Sequence, residues 1–257
     1  MAKKILIKKD RSVDVNGRKV LVSKFEKHYV DDSKDFSTKY GIIKESDIKK
    51  IAGSVIKTKN EEFIILNPDF IDHYKQIKRL AQIITLKDIG AIIANTGLTK
   101  DSIVLEAGSG SGALGCFLAM LSKKVISYDI KSEHLEVAKK NVEMLGIKNI
   151  EIKKGDIYDF EKIKEKNIDV FVLDVPTPHD GIKTAKKVLK IGGFLVSYSP
   201  NINQVQEFVK NLTEEFLYEK TIEVIEREWT VKEKILRPKM KDFGHTAFLT
   251  FVRKIQN

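Results

Sequence analysis

Residues 104 to 115 read VLEAGSGSGALG, an apolar run and a carboxylate followed by three alternate glycines that lead into a helix-forming stretch. Ile103, Val104 and Leu105 are apolar enough for a strand covered on both faces, as in a parallel sheet. Gly108, Gly110 and Gly112 let the backbone turn sharply at the strand tip and approach a ligand with no Cβ in the way. Strand, glycine turn and helix in this order point to an open α/β sheet with a ligand crevice beyond its carboxyl edge.

Gly110, Gly112 and Gly115 also satisfy GxGxxG, and Asp129 follows at the distance of a ribose-binding acid, so an NAD-dependent oxidoreductase is one reading. Glu106 weighs against it. A pyrophosphate would meet an unwelcome negative charge there, whereas the cationic amino acid end of S-adenosylmethionine would be attracted. On that reading Glu106, Gly108, Ser109, Gly110, Ser111, Gly112, Ala113 and Leu114 form a cofactor loop. A second strand, Lys124 to Asp129, ends in a carboxylate able to accept both ribose hydroxyls. A helix from Ser132 to Leu145 and a short strand Ile150 to Ile152 follow, and Asp156 and Ile157 then stand where an adenine would lie.

Ile168 to Leu173 is a nearly unbroken apolar strand, and it stops at Asp174-Val175-Pro176-Thr177-Pro178-His179. The two prolines make the segment beside Asp174 rigid and extended. A polar residue followed closely by proline at such a strand end is the device by which adenine-modifying methyltransferases hold the exocyclic amino group, which makes Asp174 the candidate catalytic residue. Downstream, a helix is expected at Thr184 to Leu189, a turn at Gly192-Gly193, a strand at Phe194 to Tyr198 and a helix at Ile202 to Leu212. Tyr218 to Trp229 and Thr246 to Arg253, rich in β-branched and aromatic residues, are expected as a closing antiparallel pair, with Trp229 as packing and residues 230–244 as a connecting loop.

These residues, with Arg79 to Ile84, Lys87-Asp88-Ile89, Tyr198-Ser199-Pro200, Arg237-Pro238 and Gly244-His245-Thr246, resemble the tRNA (adenine-N1)-methyltransferases of the TrmI type. The resemblance covers most of the chain. It implies an α/β fold with a doubly wound, Rossmann-like methyltransferase sheet and a small N-terminal β domain. It also implies S-adenosyl-L-methionine as cofactor, tRNA as partner, the T-loop adenine 58 as target with the neighbouring position 57 as a second site in archaeal members, and a homotetramer. By the same resemblance His134 is a further cofactor contact, and Gln82, Thr85, Pro176, His179, Arg237 and His245 meet the RNA. The chain departs from the pattern at His179, where the family carries an aromatic residue, at Thr85 and Leu86, where it carries an aromatic or histidine and a proline, and at Asp129, which is usually Glu.

Lys plus Arg total 46 against 36 Asp plus Glu, a net charge of +10 that suits a polyanionic partner; with only six arginines, most of the attraction comes from lysine. Lysine- and glutamate-rich surfaces also occur in heat-adapted proteins with no nucleic acid partner. The single cysteine, Cys116, reads as a small packing residue in a reducing compartment, and the five histidines lack metal-ligand spacing, so no metal is expected. No apolar run reaches the ~20 residues of a membrane span, and a cytoplasmic location is expected. Residues 1–66 alternate short β segments (Lys4 to Lys8, Arg18 to Val22, Gly53 to Lys57, Glu62 to Leu66) and read as the β domain. Asn67-Pro68 ends it, a helical region runs from Phe70 to Leu80, and 67–257 is the catalytic domain. Two further readings stay open: a noncatalytic RNA-binding subunit of a tRNA methyltransferase complex, and a methyltransferase acting on another RNA or a small molecule.

Overall fold

The computed structural model describes residues 3–80, 82–232, 235–239 and 244–257, and the chain divides into two compact units, residues 1–76 and 77–257. In the first, strands β1 (Lys3–Lys8), β2 (Arg11–Val15), β3 (Arg18–Ser23), β4 (Glu26–Asp31), β5 (Phe36–Thr38) and β6 (Gly41–Ile43) lead to a short helix α1 (Glu45–Ile48). β7 (Val55–Lys57), β8 (Glu62–Leu66) and helix α2 (Phe70–Tyr74) follow. An antiparallel sheet in the order β4-β1-β8-β7 covers a core of Leu6, Val30, Ile48, Phe63 and Ile65. The unit ends after Gln76 rather than at residue 66, because α2 is tied to the sheet by Lys27–Asp72 at 2.6 Å and by the Tyr29 hydroxyl against His73. The helix read from Phe70 to Leu80 stops at Tyr74.

The second unit runs through α3 (Leu86–Thr96), β9 (Ile103–Ala107), α4 (Ala113–Ala119), β10 (Lys124–Asp129), α5 (Ser132–Leu145), β11 (Ile150–Lys154) and β12 (Ile168–Leu173). A single 3-10 turn (Pro178–Gly181), α6 (Ile182–Val188), β13 (Leu189–Ser199), α7 (Ile202–Lys210), β14 (Phe216–Glu223), β15 (Trp229–Lys232), β16 (Ile235–Pro238) and β17 (Phe248–Lys254) complete it. Seven strands form one sheet in the order β11-β10-β9-β12-β13-β17-β14. The first five are parallel, as their apolar sequences predict; β17 runs antiparallel between β13 and β14. Leu105, Phe171, Leu173, Leu195 and Val252 are fully buried in its core. Two of the helices end where the backbone turns left-handed: Gly97 closes α3 and Gly146 closes α5.

Two expectations change here. Gly192 and Gly193 lie inside β13, which begins at Leu189, so the expected helix–turn–strand is a helix running directly into a long strand. The residues read as a loop after Trp229 contain the hairpin β15–β16, in which Trp229 pairs with Pro238. Trp229 is 53% exposed there, Val231 72% and Leu236 73%, so Trp229 is not a packing residue of this unit. Cys116 is fully buried, as expected, and burial pushes its thiol up to about 12.

Candidate active site

Strand order reverses at β9, with β10 on one side and β12 on the other, so the loops leaving these strands diverge and open a crevice at their carboxyl ends. A cavity of about 300 Å³ lies there, and its wall includes Gly108, Asp129, His134, Asp156, Tyr158 and Asp174. A larger hollow of about 670 Å³ sits in the N-terminal unit, but its charges largely pair with one another, Arg11 with Glu61 at 3.3 Å and Lys57 with Glu62 at 3.6 Å, and no parallel-strand tips converge on it.

The glycine loop is held by close approach. Gly112 starts α4 at φ +74, and a Cβ there would lie 3.1 Å from that of Ala138. Gly115 is bound by contact rather than by φ: a Cβ would come within 2.5 Å of Glu106 Oε2 and 2.8 Å of Ile150 Cδ1. Glu106 is only 2% exposed. Its Oε2 accepts the Ser127 hydroxyl at 2.7 Å, with Ser109 Oγ also 2.7 Å from Ser127 Oγ, and it accepts the Gly115 N–H. Burial pushes its carboxyl up to about 8, against the Ser127 bond that favours the charged form. The expectation placed this carboxylate against the cofactor's ammonium. In the structure it is buried against these donors, and the cavity wall does not include it.

Asp129, at the tip of β10, lies on the cavity wall. Its Oδ2 accepts the Gly110 N–H at 2.9 Å and its Oδ1 the Lys131 N–H at 2.9 Å, while His134 Nδ1 stands 3.0 Å from Oδ2. Asp156 lies on the same wall, turned by the bond from the Tyr158 N–H to its Oδ1 at 2.9 Å, with buried Ile157 beside it. Ser109, Ser111, Ala113 and Leu114 are buried behind the loop, Ser111 Oγ accepting the Leu80 N–H at 2.9 Å.

Asp174 follows the last residue of β12. Its N–H donates to Ala107 O and its carbonyl accepts the Gly108 N–H at 3.1 Å, which fastens the tips of β9 and β12 to each other. Burial pushes its carboxyl up to about 7, and the nearby Asp129 charge adds to the rise. Tyr128 shares the wall, its hydroxyl bonded to Glu165 at 2.9 Å and its ring so close to Gly155 that a Cβ there would meet it at 2.9 Å.

Of the residues expected to meet substrate, Pro176 lies on the cavity wall and the others do not. His179 sits on the 3-10 turn, 3.8 Å from Asp180, and Gln82 and Arg237 are exposed on other segments. His245 is held between Glu223 and the Pro200 carbonyl, contacts that raise its pKa. Thr85 occupies the position before α3 without a side-chain capping bond, and its hydroxyl donates to Asp88 Oδ2 at 2.9 Å. Asp88, fully buried, also receives Lys87 at 2.8 Å and the hydroxyls of Thr246 at 2.7 Å and Tyr198 at 3.4 Å. Three chain segments, the second 110 and the third 158 residues beyond Asp88, thus meet in one polar cluster. Tyr128, Ile130, Tyr158 and Val175 also line the cavity; Tyr128 and Val175 belong to motifs visible in the sequence, whereas nothing local marks Ile130 and Tyr158.

A family model described as the tRNA methyltransferase complex GCD14 subunit matches residues 73–240. The chain is 36% identical to the tRNA (adenine(57)-N(1)/adenine(58)-N(1))-methyltransferase TrmI of Methanocaldococcus jannaschii, covering 94% of this chain and 93% of that protein. It is 35% identical to the tRNA (adenine(58)-N(1))-methyltransferase TrmI of Thermus thermophilus over 79% and 81% of the two chains. Among solved structures, a SAM-dependent O-methyltransferase from Thermotoga maritima superposes with a TM-score of 0.84 at 29% identity, over 100% of this chain and 94% of that one. The tRNA (m1A58) methyltransferase TrmI from Aquifex aeolicus shares the fold, with a TM-score of 0.78 at 24% identity over 99% and 97%.

Proposed function

The chain belongs to this tRNA methyltransferase family, and from that premise we propose that it transfers a methyl group from S-adenosylmethionine to N1 of adenine 58 in the tRNA T-loop, with position 57 as a second target. The observation that carries the reading is the convergence of Asp129, Asp156 and Asp174, from three different strand ends, on one cavity at the reversal of strand order.

The cavity suits the cofactor. Its volume falls within the range of small-molecule sites, Asp129 supplies a carboxylate for ribose hydroxyls, Asp156 one for an adenine amino group, and Ile130, Ile157 and Val175 provide apolar wall for the ring. When bound, S-adenosylmethionine supplies an electrophilic methyl group. His134 orients Asp129 through its Nδ1, and Glu106 keeps the glycine loop in place.

Adenine N1 already carries a lone pair at neutral pH, so the nucleophile needs no deprotonation before attack. Asp174 accepts a hydrogen bond from the exocyclic amino group, aims N1 and stabilises the positive charge that the ring acquires. Because the base edge is paired or stacked in folded RNA, the adenine leaves its stack to reach Asp174. Lysine-rich surface supplies attraction to phosphate. A cytoplasmic homotetramer is part of the same proposal; the exposed Trp229, Val231 and Leu236 of the β15–β16 hairpin support assembly, and light scattering of the purified protein tests it.

Mass spectrometry of an unmodified tRNA transcript, after incubation with the protein and S-adenosylmethionine, decides the function. N1-methyladenosine at position 58 is expected. Unmethylated RNA overturns the proposal, and an O-methylated product would align the chain with the chemistry named for the Thermotoga structure.

A further inference from the structure

The segment Asp174 to Thr177 carries the carboxylate on which the proposed chemistry turns. Pro176 and the following Pro178 have no N–H to donate, so the backbone can be pinned at few points. Asp174 is fastened to the tip of β9 by both of its backbone groups. Beyond it, two side chains from separate elements hold the segment. The Tyr158 hydroxyl accepts the Thr177 N–H at 3.2 Å, and Gln204 Nε2 donates to the Pro176 carbonyl at 3.1 Å.

Neither side chain is incidental to its surroundings. Tyr158 belongs to the loop after β11; its side chain packs against the core and forms part of the cavity wall. Gln204 lies in the first turn of α7, where Asn201 Oδ1 accepts its own N–H at 3.0 Å and so fixes the start of the helix. Gln204 Oε1 is buried with no hydrogen-bond partner among the described residues. A buried, unpaired acceptor costs free energy, and an apolar side chain of similar length would fill the place without that cost. A glutamine at this position therefore serves the single bond its nitrogen makes.

We infer that Tyr158 and Gln204 are positioning residues that clamp the Asp174–Thr177 segment and thereby set the aim of the Asp174 carboxylate. Tyr158 holds the segment through its hydroxyl while its side chain also lines the cavity. The consequence for rate rests on the methyl-transfer reading above; the consequence for the backbone rests on the geometry alone.

Tyr158→Phe, Gln204→Met and the double variant, compared with the unaltered protein, test the clamp. With S-adenosylhomocysteine bound, hydrogen exchange at the Thr177 amide should quicken about fivefold or more in each, the size of one lost hydrogen bond. Affinity for S-adenosylhomocysteine should stay within about twofold, and the melting temperature of Gln204→Met should not fall. Toward tRNA, kcat should drop about tenfold with KM nearly unchanged, and the double variant should lose less than the product of the single losses, since both act on one segment. Native exchange in both single variants overturns the clamp whether or not tRNA is methylated. Faster exchange with unaltered kcat overturns its part in the reaction. If the unaltered protein leaves tRNA unmethylated, the functional reading alone falls, and exchange still decides the clamp.

Discussion

Replacing Asp174 by asparagine should make the protein more stable while it stops the chemistry. The carboxyl rises from the ordinary 3.8 to about 7 because folding strips it of solvent and sets it near Asp129. At 1.36 kcal/mol for each tenfold, that gap bounds the cost of keeping the folded carboxylate ionised at about 4 kcal/mol. Solvent reaches the half-buried side chain, and screening cuts the figure to about 2 kcal/mol. The sign follows from the raised value. Below pH ~4 the group is protonated folded and unfolded, and the variant gains nothing; the cost to the native protein grows up to pH ~7 and then levels off. Asp174→Asn should therefore melt about 4 to 8 °C higher than the unaltered protein at pH 8, at about 2 to 4 °C per kcal/mol for a chain of this size, with a smaller gain at pH 5. Differential scanning calorimetry at the two pH values reads the difference, and methyl transfer to tRNA should fall about 10²-fold or more. An unchanged or lowered melting temperature at pH 8, or an equal gain at both pH values, would refute the argument that Asp174 is held charged against its surroundings.

Other parts of the site give equally definite expectations. Gly115→Ala forces a methyl against Glu106 and Ile150 and should cost about 1 to 3 kcal/mol in urea unfolding; native stability would show that the contact relaxes freely. Asp88→Asn leaves the Lys87 ammonium, mostly buried, without its carboxylate, and should lower the unfolding free energy by about 3 kcal/mol, a loss that denaturant titration would detect or exclude. Asp129→Ala removes the acceptor of the Gly110 and Lys131 N–H groups and of the proposed ribose, so calorimetric titration should find S-adenosylhomocysteine bound about 10- to 100-fold more weakly, and unaltered affinity would move the ribose elsewhere.

Much of the catalytic unit was legible in one dimension. Ile103 to Leu105, Lys124 to Asp129 and Ile168 to Leu173 are apolar stretches of strand length, and each forms the strand it predicts, because a strand buried on both faces leaves little room for polar residues. Gly112 was likewise readable, since its left-handed backbone favours glycine. The β15–β16 hairpin was not: its charged and apolar residues follow no core-facing alternation, as both faces are largely exposed. The helix after Phe70 is shorter than its apolar spacing to Leu80 predicts: it ends at Tyr74, and its closing hydrogen bonds reach only Lys75 and Gln76.

What the linear chain determined, then, is the inventory: five parallel strands, a glycine turn after the first of them, and acids at their carboxyl ends. These depend on local covalent and steric rules, and neighbours along the chain suffice to apply them. Only the tertiary structure decided which acids share a surface. Asp129, Asp156 and Asp174 share a cavity because β10 and β12 flank β9, whereas Glu106, from the same edge, is buried against Ser127 and Gly115. The difference is one of solvation and hydrogen bonding by groups remote in sequence, and those partners exist only once the strands have paired.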